Sequence, residues 1–194
     1  RYMHNRERFF IGQDSNRVVR PFEWGTEFVE KNYTGDNPRQ FFYDLSKKVV
    51  AESDSFFELS TEIDFEVRDT DLTWQSAVTT KWAENNLVRA KFFPYAKNKK
   101  AAVVILPHWN AKPETYFALA RLFNKVGVSA LRLTLPYHEE RNPPHLERAD
   151  YLVAPNIGLT LESIKQAVLD TKASVQWLKN QGYEKIGLVG TSVG

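Results

Sequence analysis

Gly190-Thr191-Ser192-Val193-Gly194 is the stretch whose residue types and spacing could do chemistry. It has the form G-x-S-x-G. A serine hydroxyl is a weak nucleophile until a base takes its proton, and it must project from a tight turn to meet base and substrate together. Gly190 and Gly194 lack Cβ atoms, so backbone can cross closely on either side of Ser192. The N–H of Val193 would then serve an oxyanion growing on an attacked acyl carbonyl. The plainer alternative is an ordinary serine in a strand-to-loop turn, so the surrounding elements have to decide.

Lys185-Ile186-Gly187-Leu188-Val189 is a short apolar run that predicts a buried strand. Ser192 then falls at the strand's C-terminal end, where open parallel sheets place their sites. Two other glycine motifs fail. A P-loop needs a Lys-Ser or Lys-Thr pair after its second glycine, and a dinucleotide fingerprint needs G-x-G-x-x-G, which the spacing of Gly187, Gly190 and Gly194 does not give.

Upstream, Ala101–Leu106 is a second continuous apolar run. Pro113 is expected to open a helix with Phe117, Ala120, Phe123 and Val126 on one face and Gly127 at its end. Val128–Leu135 reads as the next strand. Leu161, Ile164, Val168, Thr171, Val175 and Leu178 recur at helical spacing, with Gly182 in the position of a helix stop. Two βαβ crossovers thus lead to Ser192. Before them the pattern is more antiparallel. Glu62–Val67 alternates, Leu72–Thr80 is a candidate partner across an Asp69-Thr70-Asp71 turn, and Asn85-Asn86 is a turn signal before a strand at Leu87–Phe93. In residues 1–60, Asn37-Pro38 predicts a helix start, with Phe41, Leu45, Val49 and Phe42 toward the core. Arg20–Gly25 predicts an irregular segment packed by aromatics.

The net charge of +2 is too small to argue for nucleic acid or a membrane surface, and no apolar run approaches a membrane span. The absence of cysteine excludes disulfides and thiolate metal sites and leaves the compartment open.

With these elements in place, the chain resembles the α/β-hydrolase superfamily over roughly residues 60–194. Leu135-Pro136-Tyr137-His138-Glu139-Glu140-Arg141, Glu147-Arg148-Ala149-Asp150-Tyr151 and Gln181–Lys185 running into Gly190-Thr191-Ser192 resemble a bacterial group of α/β-hydrolase-domain proteins. The expected class is α/β: residues 1–60 a partly helical N-terminal extension, and 61–194 the N-terminal half of an α/β-hydrolase sheet, antiparallel at first and then parallel. The resemblance implies a second oxyanion N–H in the loop after Ala101–Leu106, often following a His-Gly pair. Here His108 stands at the histidine, Trp109 replaces the glycine, and Trp109 or Asn110 is the candidate donor.

The long loop from Pro136 to Gly158 should lie on the same side of the sheet. His108, Tyr137, His138 and Arg141 are candidates for the substrate mouth. The alternative is that His108 buttresses its loop and that Glu–Arg pairs tie the long loop down. His138-Glu139 begins like H-E-x-x-H, but Asn142 stands where the second histidine should be, so no metal site is expected. No organic cofactor is implied either.

The superfamily order is serine, then Asp or Glu, then histidine. His4, His108, His138 and His145 all precede Ser192, so the base and the acid are assigned to no residue here. Asp150 and Asp170 are expected at the surface or as caps. The chain, which begins with Arg1, is therefore expected to be part of a longer enzyme and inactive alone. The resemblance implies a serine hydrolase of small ester-like substrates, with Ser192 as nucleophile. A non-catalytic scaffold that binds a ligand or partner is the second reading.

Overall fold

The computed structural model describes residues 4, 5, 8, 9, 12 and 18–194, so Arg1 and part of the 1–60 segment lie outside it. Among the described residues six strands form one sheet: β1 (Phe65–Arg68), β2 (Asp71–Gln75), β3 (Leu87–Phe93), β4 (Ala101–Leu106), β5 (Ser129–Leu133) and β6 (Lys185–Gly190). Their order is β1-β2-β3-β5-β4-β6. The first three pairings are antiparallel, and β4 lies parallel to both β5 and β6. The helices are α1 (Pro38–Ala51), α2 (Ser53–Phe56), α3 (Ala83–Asn86), α4 (Phe117–Lys125) and α5 (Ile157–Asn180). This is the α/β arrangement the sequence predicts. None of the described helices is long and apolar enough to cross a membrane.

The central strands are covered on both faces, with alternate side chains pointing to opposite sides, while the edge strands β1 and β6 are largely exposed. Ala102 and Val104 of β4 and Leu131 and Leu133 of β5 pack with Ala173, Trp177 and Leu178 of α5. Ile105 of β4 and Ala130 of β5 pack with Ala120 of α4. All five residues of β5 are buried, as a strand sandwiched between two helical layers requires.

Several boundaries differ from the sequence reading for physical reasons. The helix expected from Pro113 begins at Phe117, because Tyr116 takes a left-handed φ of 75° that interrupts helical geometry. The strand expected over Leu72–Thr80 ends at Gln75, where the chain turns to bond the Ser76 hydroxyl to Asp170 and Thr80 to Asn86. Asn85-Asn86, read as a turn, ends the short helix α3, and Asn85 is wholly buried. In α1, begun by an Asn37 cap on the Gln40 N–H at 3.1 Å, Phe42 is the buried residue, while Phe41, Leu45 and Val49 are half-buried.

Residues 20–25 are tied to the start of α5. Glu23 bridges Asn156, Gly158 N–H donates to Trp24 O at 2.9 Å, and Trp24 stacks on Phe42. The contact is close enough that a Cβ on Gly158 would lie 1.7 Å from Gly25 O. Backbone cannot yield as a flexible side chain would. Gly158→Ala should therefore cost about 2–4 kcal/mol of stability, within the range for overpacking and lost backbone bonds. A urea titration checks this, and a change under 0.5 kcal/mol would mean the 20–25 segment is not held there.

Candidate active site

β4 and β6 run side by side, with Leu106 opposite Gly190, so the segments that follow them emerge together at one end of the sheet. Thr191 N–H donates to Leu106 O at 3.2 Å, and Gly194 N–H closes the turn on Thr191 O at 3.0 Å. Within that turn Ser192 has a φ of 58°, a left-handed conformation that costs an L-residue free energy. The two glycines are sterically required. A Cβ on Gly190 would meet Gly194 O at 2.3 Å, and one on Gly194 would meet Leu106 O at 2.3 Å. Ser192 is exposed and Val193 half-buried. This backbone holds a hydroxyl outward at the C-terminal end of a parallel strand.

The loop after β4 lies beside this turn. Its conformation is fixed by four contacts with the long loop after β5. Trp109 Nε1–H donates to Ala149 O at 2.9 Å, the Arg148 guanidinium lies 4.5 Å from the centre of the Trp109 ring, Asn110 Oδ1 accepts from Ala149 N–H at 3.2 Å, and Asn110 N–H donates to His138 Nε2 at 2.8 Å. Asn110 itself has a φ of 57°. His108 is half-buried, with Nδ1 2.8 Å from the Tyr116 hydroxyl, which agrees with the buttressing alternative. The backbone N–H groups of Trp109 and Val193 have no hydrogen-bond partner among the described residues.

The residues proposed for a substrate mouth do not share one environment. Tyr137 and Arg141 have no accessible surface and His138 almost none, so none of the three opens to solvent where a substrate could meet it. They belong to the interior under the site. Arg141 donates from Nη1 to Thr134 O at 2.8 Å, from Nε and Nη2 to Asn85 O, and from Nη2 to Asp170 Oδ2 at 2.9 Å. Asp170 also accepts from the Ser76 hydroxyl at 2.7 Å. Asn85 donates to Gln166 Oε1 at 2.7 Å and accepts from Tyr137 N–H at 3.0 Å. Asp170, expected at the surface or as a cap, is thus an interior ion-pair partner, because only a buried carboxylate can balance the buried guanidinium. Burial pushes the Asp170 carboxyl up and the Arg141 guanidinium down, each opposed by the other's charge. A second pair, Arg132 with Glu139, holds the turn after β5, assisted by Thr134. Glu–Arg tethering of the long loop is therefore present, extended by an Asp–Arg pair into the core.

No hydrogen bond joins Ser192 to His108, His138 or His145. Both nitrogens of His138 are taken, Nδ1 of His108 faces Tyr116, and His145 Nε2 lies 3.0 Å from the Tyr151 hydroxyl. No group of three His, Asp or Glu among the described residues could hold a metal ion. Beside the turn, Ile164 and Val168 of α5 with Leu106, Leu135, Leu188 and Val193 line an apolar groove of about 370 Å³.

The fold is that of part of an α/β-hydrolase sheet, with the turn after β6 at the C-terminal end of a parallel strand. No protein-family model matches the sequence, and no curated protein does. Solved structures do. A candidate acetyl xylan esterase of Bacteroides fragilis superposes with a TM-score of 0.52 at 18% identity, over 79% of this chain and 48% of that one. An acetyl xylan esterase of Paenibacillus sp. R4 is matched at a TM-score of 0.43 and 12% identity, over 86% and 56%. A cold-adapted esterase from an Arctic intertidal metagenomic library is matched at 0.41 and 17%, over 68% and 56%. At these identities the likeness is one of fold, carried by the first of the three. The chain spans about half the length of the structures it matches.

Proposed function

We propose that this chain carries the nucleophile of a serine hydrolase of carboxylic esters. The observation that carries the reading is the backbone of Ser192. It is a non-glycine residue at a φ of 58°, in a turn whose flanking glycines sit where any Cβ would strike backbone. Strained conformations of this kind persist where the fold over-determines them, and they cluster at functional sites. In the proposed reaction Ser192 Oγ attacks the acyl carbonyl and its proton passes to a base. The N–H groups of Val193 and of the Trp109–Asn110 loop hold the oxyanion. The alcohol leaves, and water then releases the acid. The base and the acid are assigned to no residue described here. That the fold neighbours bear esterase names supports an ester substrate, since acyl transfer is the chemistry this turn suits.

The test is covalent labelling of the full-length protein with a fluorophosphonate. Attack by an activated serine forms an O–P bond and expels fluoride. One adduct per chain, mapped to the peptide containing Ser192, is expected. An unlabelled Ser192, under conditions that saturate a control esterase, would favour the non-catalytic scaffold instead.

A further inference from the structure

We propose that His138 is a positioning residue for the oxyanion loop: as a neutral imidazole carrying its proton on Nδ1, it occupies the Asn110 N–H and leaves the Trp109 N–H as the donor that loop supplies. The inference rests on the Ser192 reading and settles which of its two loop candidates is available.

The two ring nitrogens face groups of opposite character. Nδ1 lies 2.9 Å from Pro136 O, which can only accept, so Nδ1 must carry a proton. Nε2 lies 2.8 Å from Asn110 N, which can only donate, so Nε2 must be bare. One protonation state satisfies both. An imidazolium would set two N–H groups against each other. The surroundings oppose that cation as well. His138 is 2% exposed, and Arg132, Arg141 and His108 all disfavour added positive charge. The acidic groups at hand are already committed, Glu139 to Arg132 and Asp170 to Arg141. Burial is the main cause, and it lowers the His138 pKa to about 4 against the Pro136 hydrogen bond that raises it.

The backbone around this bond is expensive to arrange. Asn110, Tyr137 and Glu139 all have left-handed φ, at 57°, 60° and 54°, and none is glycine. Tyr137 N–H is held by Asn85 Oδ1, and Arg141 donates to Asn85 O from Nε and Nη2. The buried polar cluster thus fixes the strained turn that aims His138, and His138 in turn fixes the Asn110 turn. Its role is exerted through Asn110 rather than on a substrate.

The experiment uses the full-length protein labelled with ¹⁵N-histidine and ¹⁵N-asparagine, with His138→Gln to assign the signal. A nitrogen–nitrogen coupling across the hydrogen bond from Asn110 to His138 Nε2 is expected. It should persist through pH 6.5, where an ordinary histidine is half charged, and disappear as the pH falls through about 4. A proton on Nε2, or titration near pH 6.5, would overturn the proposal. The kinetic arm compares two variants. His138→Leu removes the acceptor and should lower kcat by roughly 10–100-fold with KM little changed, the scale of a misplaced oxyanion donor. His138→Gln offers an oxygen near the Nε2 position and should recover most of that loss. A leucine variant as active as wild type also overturns the proposal. Coupling present in a protein that hydrolyses no ester would sink the Ser192 reading. Coupling absent in an active enzyme would sink the His138 assignment alone.

Discussion

Asp170→Ala should lower the stability of the fold by ~3–5 kcal/mol, the cost of leaving a buried charge without its partner. The reason lies in what Asp170 neutralises. Arg141 has no solvent access, and its guanidinium reaches Thr134 O, Asn85 O and a single carboxylate, Asp170. With that carboxylate gone, a cation remains in an interior built from Asn85, Gln166, Ser174 and Tyr137, and the Ser76 hydroxyl loses its acceptor. Arg141→Met should cost a comparable amount, because it strips the donors from two buried carbonyls and isolates Asp170. The double variant should cost less than the sum of the two, since replacing both members of a buried pair removes the uncompensated charge. Urea titrations of the three variants check this. A loss below 1 kcal/mol for Asp170→Ala would mean that water reaches the pair.

The same cluster shows where the sequence could be read and where it could not. β4 and β6 lie where apolar runs predicted strands, and β3 follows the turn signal at Asn85-Asn86. β4 is buried, as a central strand requires, but β6, expected to be buried, forms an edge of the sheet with Leu188 58% exposed, because among the described residues no strand pairs on its far side. The existence of α5 was equally legible, but its inner face was not. Of the apolar stripe, Leu178 is buried in the core, but Leu161, Ile164, Val168, Thr171 and Val175 are half-buried or exposed, while Ser163, Gln166, Asp170, Ala173, Ser174 and Trp177 turn inward. Helical periodicity assumes that the core-facing side is the apolar one. Here the inward side is set by partners distant in sequence. Asp170 answers Arg141 across 29 residues, and Gln166 answers Asn85 across 81. A polar residue destined for a buried partner has the same letter as one destined for water. Tyr137 and Arg141 were read as mouth residues for that reason.

The turn at Ser192 was legible because its requirement is local: two glycines, each two residues from the serine, after an apolar strand. The state of the Asn110 N–H was not. It depends on a histidine 28 residues away, held by strained φ angles at Tyr137 and Glu139 that no residue type announces. Only the Trp109 substitution for glycine hinted that this loop is braced differently, and its indole is in fact pinned to Ala149 O.

On the proposed serine-hydrolase reading, Ser192→Ala should reduce ester turnover by the full-length protein about 10⁶-fold in kcat, the scale seen when a hydrolase loses its serine nucleophile. Folding stability should change little, because the hydroxyl is exposed and has no hydrogen-bond partner among the described residues. Ser192→Gly makes the sharper test. It too removes the nucleophile, but it also removes the Cβ from a residue held at a φ of 58°. An L-residue in that region costs ~1–2 kcal/mol, and glycine gives back ~0.4–1 kcal/mol by gaining freedom in the unfolded chain. The glycine variant should therefore be equal to or up to about 1.6 kcal/mol more stable than wild type while being inactive. That pairing separates a nucleophile from a turn residue. A serine kept for its turn would be replaced by glycine with no loss of activity. A serine kept for its chemistry holds its strain against a stability gain that a single substitution would release. Turnover that survives Ser192→Gly would end the serine-hydrolase reading, whatever the stability result.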